Sequence, residues 1–374
     1  MASSTKTLTV CGNSLSFKYI LTNYDLLRSR HLVSYTFGGL GAQRKGMILN
    51  MENEIIVSVF CLTYNHEEYV RDALNGFIMQ ETNFKYEVFV HDDASTDNTA
   101  KIIDEYAKKY PSIIKPIYEI DNQYSKGISI TRQIMYPLMS GKYIAICEGD
   151  DYWCDKYKLQ KQVDFLEKNN KYSACVHNTK VINCVTKEVS YINDLNIDTD
   201  LEFEKVIERG NSQFQLSSLV CRKEFFCIPD EIVAKGFGDY PLAIYLILKG
   251  KIHYFNDVMS VYRLFANGSW TSRYCGKTTL YKQIEYQRNL VDFLNRLFQY
   301  CEKIQLKPDY IEKIRSVKRI QNVNLLMLEN NGREVLKNYR DIYYTFSIKD
   351  KIKARIPLIR NCCRKIKILL GKFK

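Results

Sequence analysis

From residue 55 onward, short apolar runs rich in β-branched residues alternate with stretches of helical spacing. This alternation constrains the fold of the 374-residue chain more than any other feature. Residues 55–62 read as a strand, 67–79 as a helix with Tyr69, Ala73 and Phe77 on one face, and 86–91 as a second strand. A helix at 99–110 follows, with Asn98 or Thr99 near its cap and Pro111 just beyond its end. The pattern continues through a strand at 115–119, a helix at 130–139 with Gly141 past its end, a strand at 143–148, a helix at 156–169 and a strand at 173–183. Strands joined through helices lie parallel, so the expected fold class is α/β, a doubly wound and mostly parallel sheet flanked by helices. Ligands of such sheets bind beyond the carboxyl ends of the strands. The residues just after each strand are therefore where chemistry is sought.

Three acidic constellations stand there. The first strand ends in the polar turn Thr63-Tyr64-Asn65, and the second in HDDASTDNT, residues 91–99. Asp92 and Asp93 fall where the chain leaves the sheet, with the turn formers Ser95 and Asp97 behind them. Two readings fit: an Asx turn leading into a capped helix, or carboxylates that accept hydrogen bonds from a base N–H or ribose hydroxyls. The fourth strand ends in EGDDYW, which places Glu148, Asp150 and Asp151 within four residues. Crowded carboxylates raise one another's pKa unless a cation neutralises them. A solvated acidic turn is one reading; a Mg²⁺ or Mn²⁺ site bridging substrate phosphates is the other. Further on, Gly238-Asp239 precedes an apolar helix that stops at Gly250. Asp239 fits either a helix cap or a general base at the edge of a cleft.

The ordered series IIVSVFCLTYNHEEYV, HDDASTDNTAKIIDEYAKKY, DNQYSKG and ICEGDDYWCDKYKLQKQVDFLEKN resembles a bacterial family 2 glycosyltransferase of the GT-A fold. The later GDYPLAIYLILKGKIHYFNDVMSVYR and GSW resemble the acceptor half of the same enzymes, so the likeness covers about 51–275. The resemblance implies donor-binding roles for Thr63, Tyr64, Asn65, Glu67, Asp92, Asp93 and Ser95, and for Glu148 and Asp151 around a metal ligand, Asp150. The first position of that motif is Glu rather than the commoner Asp. It further implies Asp239 as the catalytic base, with Gly238 where the family often has a second acid, and Arg263 as a cation near the diphosphate. The implied cofactor is a divalent cation, Mg or Mn. The implied partners are a nucleotide-diphosphate sugar, a UDP-sugar favoured, and a saccharide or lipid-linked saccharide acceptor. The implied reaction is inverting transfer in surface polysaccharide synthesis. A sugar nucleotidyltransferase and a non-catalytic nucleotide-binding membrane module are the competing classes; for the former, HEEY at 66–69 lacks a Gly-rich phosphate loop.

Charge refines this picture. The chain carries +12, but residues 1–50 hold a net +5 and 349–374 a net +9, leaving 38 basic against 40 acidic residues between them. A near-neutral body does not favour nucleic acid as a partner. In the tail, Ile352, Ile356, Ile359, Cys363, Ile366, Leu370 and Phe373 recur at spacings of four and three between basic residues, with Pro357 as a kink. Such a helix fits an anionic membrane surface, or a face of the enzyme's own body. The twelve cysteines include no C-x-x-C pair, as expected of buried, reduced thiols in a cytosolic protein. No run of 18 apolar residues suggests a spanning helix. The expected location is the cytoplasmic face of the cell membrane. The expected division is an N-terminal extension at 1–50 (poorly ordered, or upstream of a natural start at Met51), a nucleotide-sugar half at 51–175, an acceptor half at 176–275, a helical appendage at 276–348 and the basic tail at 349–374.

Overall fold

The computed structural model describes residues 7–10, 13–16, 54–209, 213–269, 271–272 and 279–355. The chain divides into two units, Met1–Asn53 and Glu54–Lys374. In the first, Thr7–Val10 (β1) and Asn13–Ser16 (β2) pair as an antiparallel hairpin with Val10 opposite Asn13. The rest of the expected extension lies outside the described residues.

The second unit begins with β3 (Ile55–Thr63), α1 (Val70–Ile78), β4 (Lys85–Asp92), α2 (Thr99–Lys109) and β5 (Ile114–Tyr118). A π-helical turn at Ile130–Met135 leads to β6 (Tyr143–Ile146), β7 (Tyr152–Trp153), α3 (Lys158–Lys168) and β8 (Tyr172–Asn183). Then come β9 (Val189–Tyr191), β10 (Thr199–Asp200), α4 (Phe203–Arg209), β11 (Val220–Arg222), α5 (Asp239–Lys249) and β12 (Lys251–Leu264). The helices α6 (Leu280–Lys303), α7 (Pro308–Leu328), α8 (Gly332–Asn338), α9 (Arg340–Thr345) and α10 (Ile348–Arg355) complete it. The helix expected at 130–139 shortens to the π turn because Pro137 lacks an N–H and its ring clashes with the preceding turn.

The strand order is β10-β12-β8-β11-β6-β3-β4-β5, with β7 on β12 and β9 on β8. β3 runs parallel to β4 and β6, β4 to β5, and β8 to β12, while β11 lies antiparallel between β6 and β8. The fold is thus α/β with a doubly wound, mostly parallel sheet and a helical C-terminal appendage. The period of two sorts each strand between two cores. On β3, Val57, Val59 and Cys61 face one side and Phe60 the other. The first side packs under α1, α2 and α3, and the second under α4, α5, α6 and α7. Helix α5 is apolar almost all round because it is enclosed: Tyr240 through Leu246 are all buried.

All eight described cysteines are free, and five of them are buried. Among the described residues no helix is long and apolar enough to cross a membrane. Residues 356–374, most of the basic tail, lie outside the described residues. The last described helix, α10, packs Ala354 on Gly332, where a Cβ would meet the Ala354 oxygen at 2.1 Å.

One close approach ties the helical layer to the acidic edge. A Cβ on Gly76 of α1 would stand 2.8 Å from the Trp153 oxygen and 2.9 Å from its nitrogen. Gly76→Ala is expected to lower stability by about 1–3 kcal/mol through overpacking; urea denaturation with an unchanged m-value is the check.

Candidate active site

Two turns at the carboxyl edge are laced together. The Asn65 N–H donates to Ser95 Oγ (2.9 Å) and the Thr96 N–H to Asn65 Oδ1 (2.8 Å). The Glu67 N–H donates to Asp97 Oδ2 (3.1 Å), and the Asn98 N–H to Glu67 Oε2 (2.9 Å). Both turns need left-handed backbone, at Asn65 (φ 56) and Ala94 (φ 61). Asn adopts that region readily, while Ala does so at a cost.

Asp92 is almost fully buried and accepts from Ser95 Oγ (2.5 Å), the Ser95 N–H (3.1 Å) and Thr63 Oγ1 (3.2 Å). Asp93, also buried, accepts the N–H groups of Gln123 (2.6 Å) and Tyr124 (3.1 Å) and so holds the loop after β5. Thr63, Asn65, Glu67, Asp92, Asp93 and Ser95 therefore share one network, with Tyr64 half-buried at the same turn. Asp97, a turn former by sequence, also caps α2 by accepting the Thr99 N–H (2.9 Å). Burial would raise its carboxyl, but the hydrogen bonds from Thr99 and Glu67 hold it below the ordinary value.

The third turn packs directly on the first. A Cβ on Gly149 would lie 2.5 Å from Thr63 Cγ2 and 2.9 Å from His66 Nδ1, so only glycine fits. Asp150 and Asp151 are buried, whereas Glu148 keeps solvent contact although protein crowds its carboxyl. That crowding, with the charges of Asp150 and Asp239, pushes Glu148 up to about 8. Burial and the Asp150 charge raise Asp151 well above the carboxylate range, against the lowering effect of the Arg263 N–H, which donates to Asp151 Oδ1 at 2.9 Å. Asp239, the first residue of α5, contributes one of the charges that raise Glu148, and its Oδ1 accepts the Tyr240 N–H at 3.0 Å.

Arg263 is fastened in place. Its Nη1 donates to the Asp150 oxygen (2.9 Å), its Nη2 pairs with Asp72 of α1, and its guanidinium lies between the rings of Tyr69 (5.2 Å) and Tyr152 (4.6 Å). Trp153 is a core residue, with Nε1 donating to the Ser217 oxygen (2.8 Å) and Phe77 edge-on at 5.0 Å. Trp270 lies outside the described residues. Sequence reasoning passed over Tyr262. Burial first, then, against a lowering hydrogen bond with Thr271, the charges of Asp151, Asp150 and Glu148 raise its phenol.

Among the described residues no three His, Cys, Asp or Glu side chains form a ready-made metal cage. The chemistry of the donor set nevertheless fits a cation: Glu148 and Asp151 are both raised, by burial first and then by the neighbouring charge of Asp150. A hard divalent ion that keeps water and takes substrate oxygens needs few protein ligands.

A doubly wound GT-A sheet with acidic turns on its carboxyl edge defines the class of protein. Residues 58–228 match the family model for glycosyl transferase family 2. The match spans β3 to β11 and holds the first three turns; Asp239 and Arg263 lie beyond it. An uncharacterized protein of Mycobacterium tuberculosis is 36% identical over 220 residues, 58% of this chain. The match covers 61% of that relative's own length. An Escherichia coli protein, the UDP-Glc:alpha-D-GlcNAc-diphosphoundecaprenol beta-1,3-glucosyltransferase WfgD, is 28% identical over 131 residues, 35% of this chain and 48% of its own. In fold, the chain is similar to S. aureus TarS 1-349 in complex with UDP-GlcNAc, at a TM-score of 0.50 and 19% identity over 76% of this chain and 90% of that one.

Gly149→Ala is expected to force the 148–151 turn off Thr63 and His66. Nucleotide affinity should fall at least about tenfold, roughly 1.4 kcal/mol, with a circular dichroism spectrum like that of the unaltered protein; calorimetry with UDP and Mn²⁺ is the measurement.

Proposed function

We propose that this chain is an inverting glycosyltransferase that moves a sugar from a nucleotide-diphosphate donor to a hydroxyl of a saccharide or lipid-linked saccharide in surface polysaccharide synthesis. The observation that carries this reading is that two acids 91 positions apart act on one another: the charge of Asp239, at the start of α5, is among those that raise Glu148 of the acidic turn.

In this reading the laced turns around Thr63, Tyr64, Asn65, Glu67, Asp92, Asp93 and Ser95 form the cradle for the nucleoside. Asp150, with Glu148 and Asp151 beside it, would hold a divalent ion, Mg²⁺ or Mn²⁺. When bound, such an ion supplies Lewis-acid stabilisation of a diphosphate leaving group. Arg263 keeps the turn in position through the Asp150 oxygen and Asp151, and adds positive charge beneath it. Asp239 accepts the acceptor hydroxyl proton as the new bond to the anomeric carbon forms and the bond to the diphosphate oxygen breaks. Attack from the face opposite the leaving group inverts that carbon, and no covalent sugar–enzyme species is required.

The WfgD relative, named for a diphosphoundecaprenol-linked acceptor, supports a lipid-linked acceptor here. The basic tail at 349–374 would then bring the enzyme to the anionic cytoplasmic face of a membrane. The UDP-GlcNAc in the TarS complex supports a UDP-sugar donor. In the proposed division, 51–175 serves the donor and 176–275 the acceptor.

The test is a donor screen with UDP-glucose, UDP-N-acetylglucosamine and GDP-mannose, with and without Mn²⁺, reading nucleotide release. Asp239→Asn is expected to keep donor binding and lose about 10²–10⁴-fold in kcat; near-normal turnover removes Asp239 from the mechanism. Asp150→Ala is expected to weaken Mn²⁺-dependent nucleotide binding at least tenfold, and an unchanged affinity by calorimetry overturns its role.

A further inference from the structure

The loop that delivers Asp239, AKGFG at 234–238, has unusual freedom. Gly236 adopts φ +87, and a Cβ on Gly238 would meet nothing within 4 Å. A base presented from such a loop needs a support to stay aimed. One face of α6 grips the loop along its length. Arg296 Nη1 donates to the Val233 oxygen at 2.7 Å and to the Glu231 oxygen at 3.4 Å. Asn289 Nδ2 lies 3.7 Å from the place a Cβ on Gly236 would occupy. The Phe237 ring packs between Tyr286 (centroids 5.5 Å apart) and Phe293 (6.0 Å, nearly perpendicular). On the far side of Asp239, the Tyr240 ring meets the same Phe293 at 5.5 Å, and its hydroxyl donates to the Ile207 oxygen at 2.6 Å. The four gripping residues, at 286, 289, 293 and 296, follow the 3-4-3 spacing of a single helix face. Asp239 is thus bracketed by two aromatic rings that dock on one fully buried phenylalanine of the appendage.

We propose that α6 is the clamp that sets the position of Asp239, and that Phe237 and Arg296 are positioning residues acting through that carboxylate. The proposal rests on the reading of Asp239 as the base. It assigns the appendage, which lies outside the family match, a part in the chemistry rather than in stability alone. Losing Phe237 frees the loop to swing toward the open side at Gly238. Misplacement of a reacting group by about 1 Å costs up to about a hundredfold in rate.

The test uses the full chain. Phe293 is too deeply buried to alter safely, so the variants are Phe237→Ala, Phe237→Tyr and Arg296→Gln. Hydrogen exchange is read on peptides covering 234–240 and 148–153. Phe237→Ala and Arg296→Gln should speed exchange at 234–240 at least tenfold and leave 148–153 unchanged, and Phe237→Tyr should restore protection. With whichever of UDP-glucose, UDP-N-acetylglucosamine or GDP-mannose is turned over, Phe237→Ala should lower kcat at least tenfold while the donor KM stays within twofold. Unchanged exchange at 234–240 overturns the clamp whatever the rates do. Faster exchange with an unchanged kcat, or a loss confined to donor KM, overturns the positioning role. If Asp239→Asn keeps turnover while exchange in Phe237→Ala rises, the base reading fails and the clamp on the loop stands.

Discussion

Carboxylates repel one another, and this chain gathers Glu148, Asp150, Asp151 and Asp239 at one edge of its sheet. Such a cluster forms only if the scaffold holds it against that repulsion, and much of the local architecture does so. Gly149 lets the acidic turn press on the Thr63 turn. Arg263 reaches the same turn from β12 through its backbone N–H, its guanidinium and its pair with Asp72. The same repulsion acts on titration: burial and mutual charge push Glu148 up to about 8 and raise Asp151 as well. A site under that tension gains most from a cation, because neutralising the cluster relieves desolvation and repulsion together.

The support beneath the turn follows the same logic. Trp153 anchors the exit of the acidic turn through its bond to the Ser217 oxygen, and Lys158 sits 4.3 Å from its ring with Nζ donating to Gln162 Oε1 (2.8 Å). Gln162 in turn donates to the Cys175 and Ser218 oxygens, joining α3 to β8 and the segment before β11. Burial pushes the Lys158 ammonium down to about 7, a direction that favours the uncharged amine within this frame. Buried polar groups of this kind fix one arrangement where apolar packing alone would allow several.

What the sequence made legible follows from where its patterns stay unbroken. From β3 to β8 the helix and strand periods are intact, and element types follow from them, apart from the turn that Pro137 truncates. The edge on which the acidic turns stand is legible for the same reason. β12 was harder, because its register shifts between Phe255 and Val258, and again between Val258 and Ser260, destroy the alternation that marks a strand. With β12 unplaced, Tyr262 gives no sign of feeling the charges of the acidic turn, and Arg263 reads as a loose cation rather than a brace. Trp153 follows directly on the acidic turn, yet its position opposite Gly76 makes it core. Asp239 is visible only through resemblance, since an acid at a helix start is a cap by local rules.

The two cores explain why the surroundings of Asp239 cannot be read from the turns after β3, β4 and β6. Those turns hang on strands packed under α1, α2 and α3, in a core drawn almost entirely from residues 57–175. Asp239 is carried by α5, in the other core, among α4, α6 and α7. The sheet carries the first set of turns, but the loop leading to Asp239 crosses from one short turn to a helix through two glycines. Its geometry is therefore set by whatever packs outside it, which here is α6. The family match ends at residue 228 and leaves the surroundings of Asp239 to the helices that follow. Chains sharing the first half could in this way differ around that carboxylate by changing one helix face, without altering a residue of the turns after β3, β4 and β6.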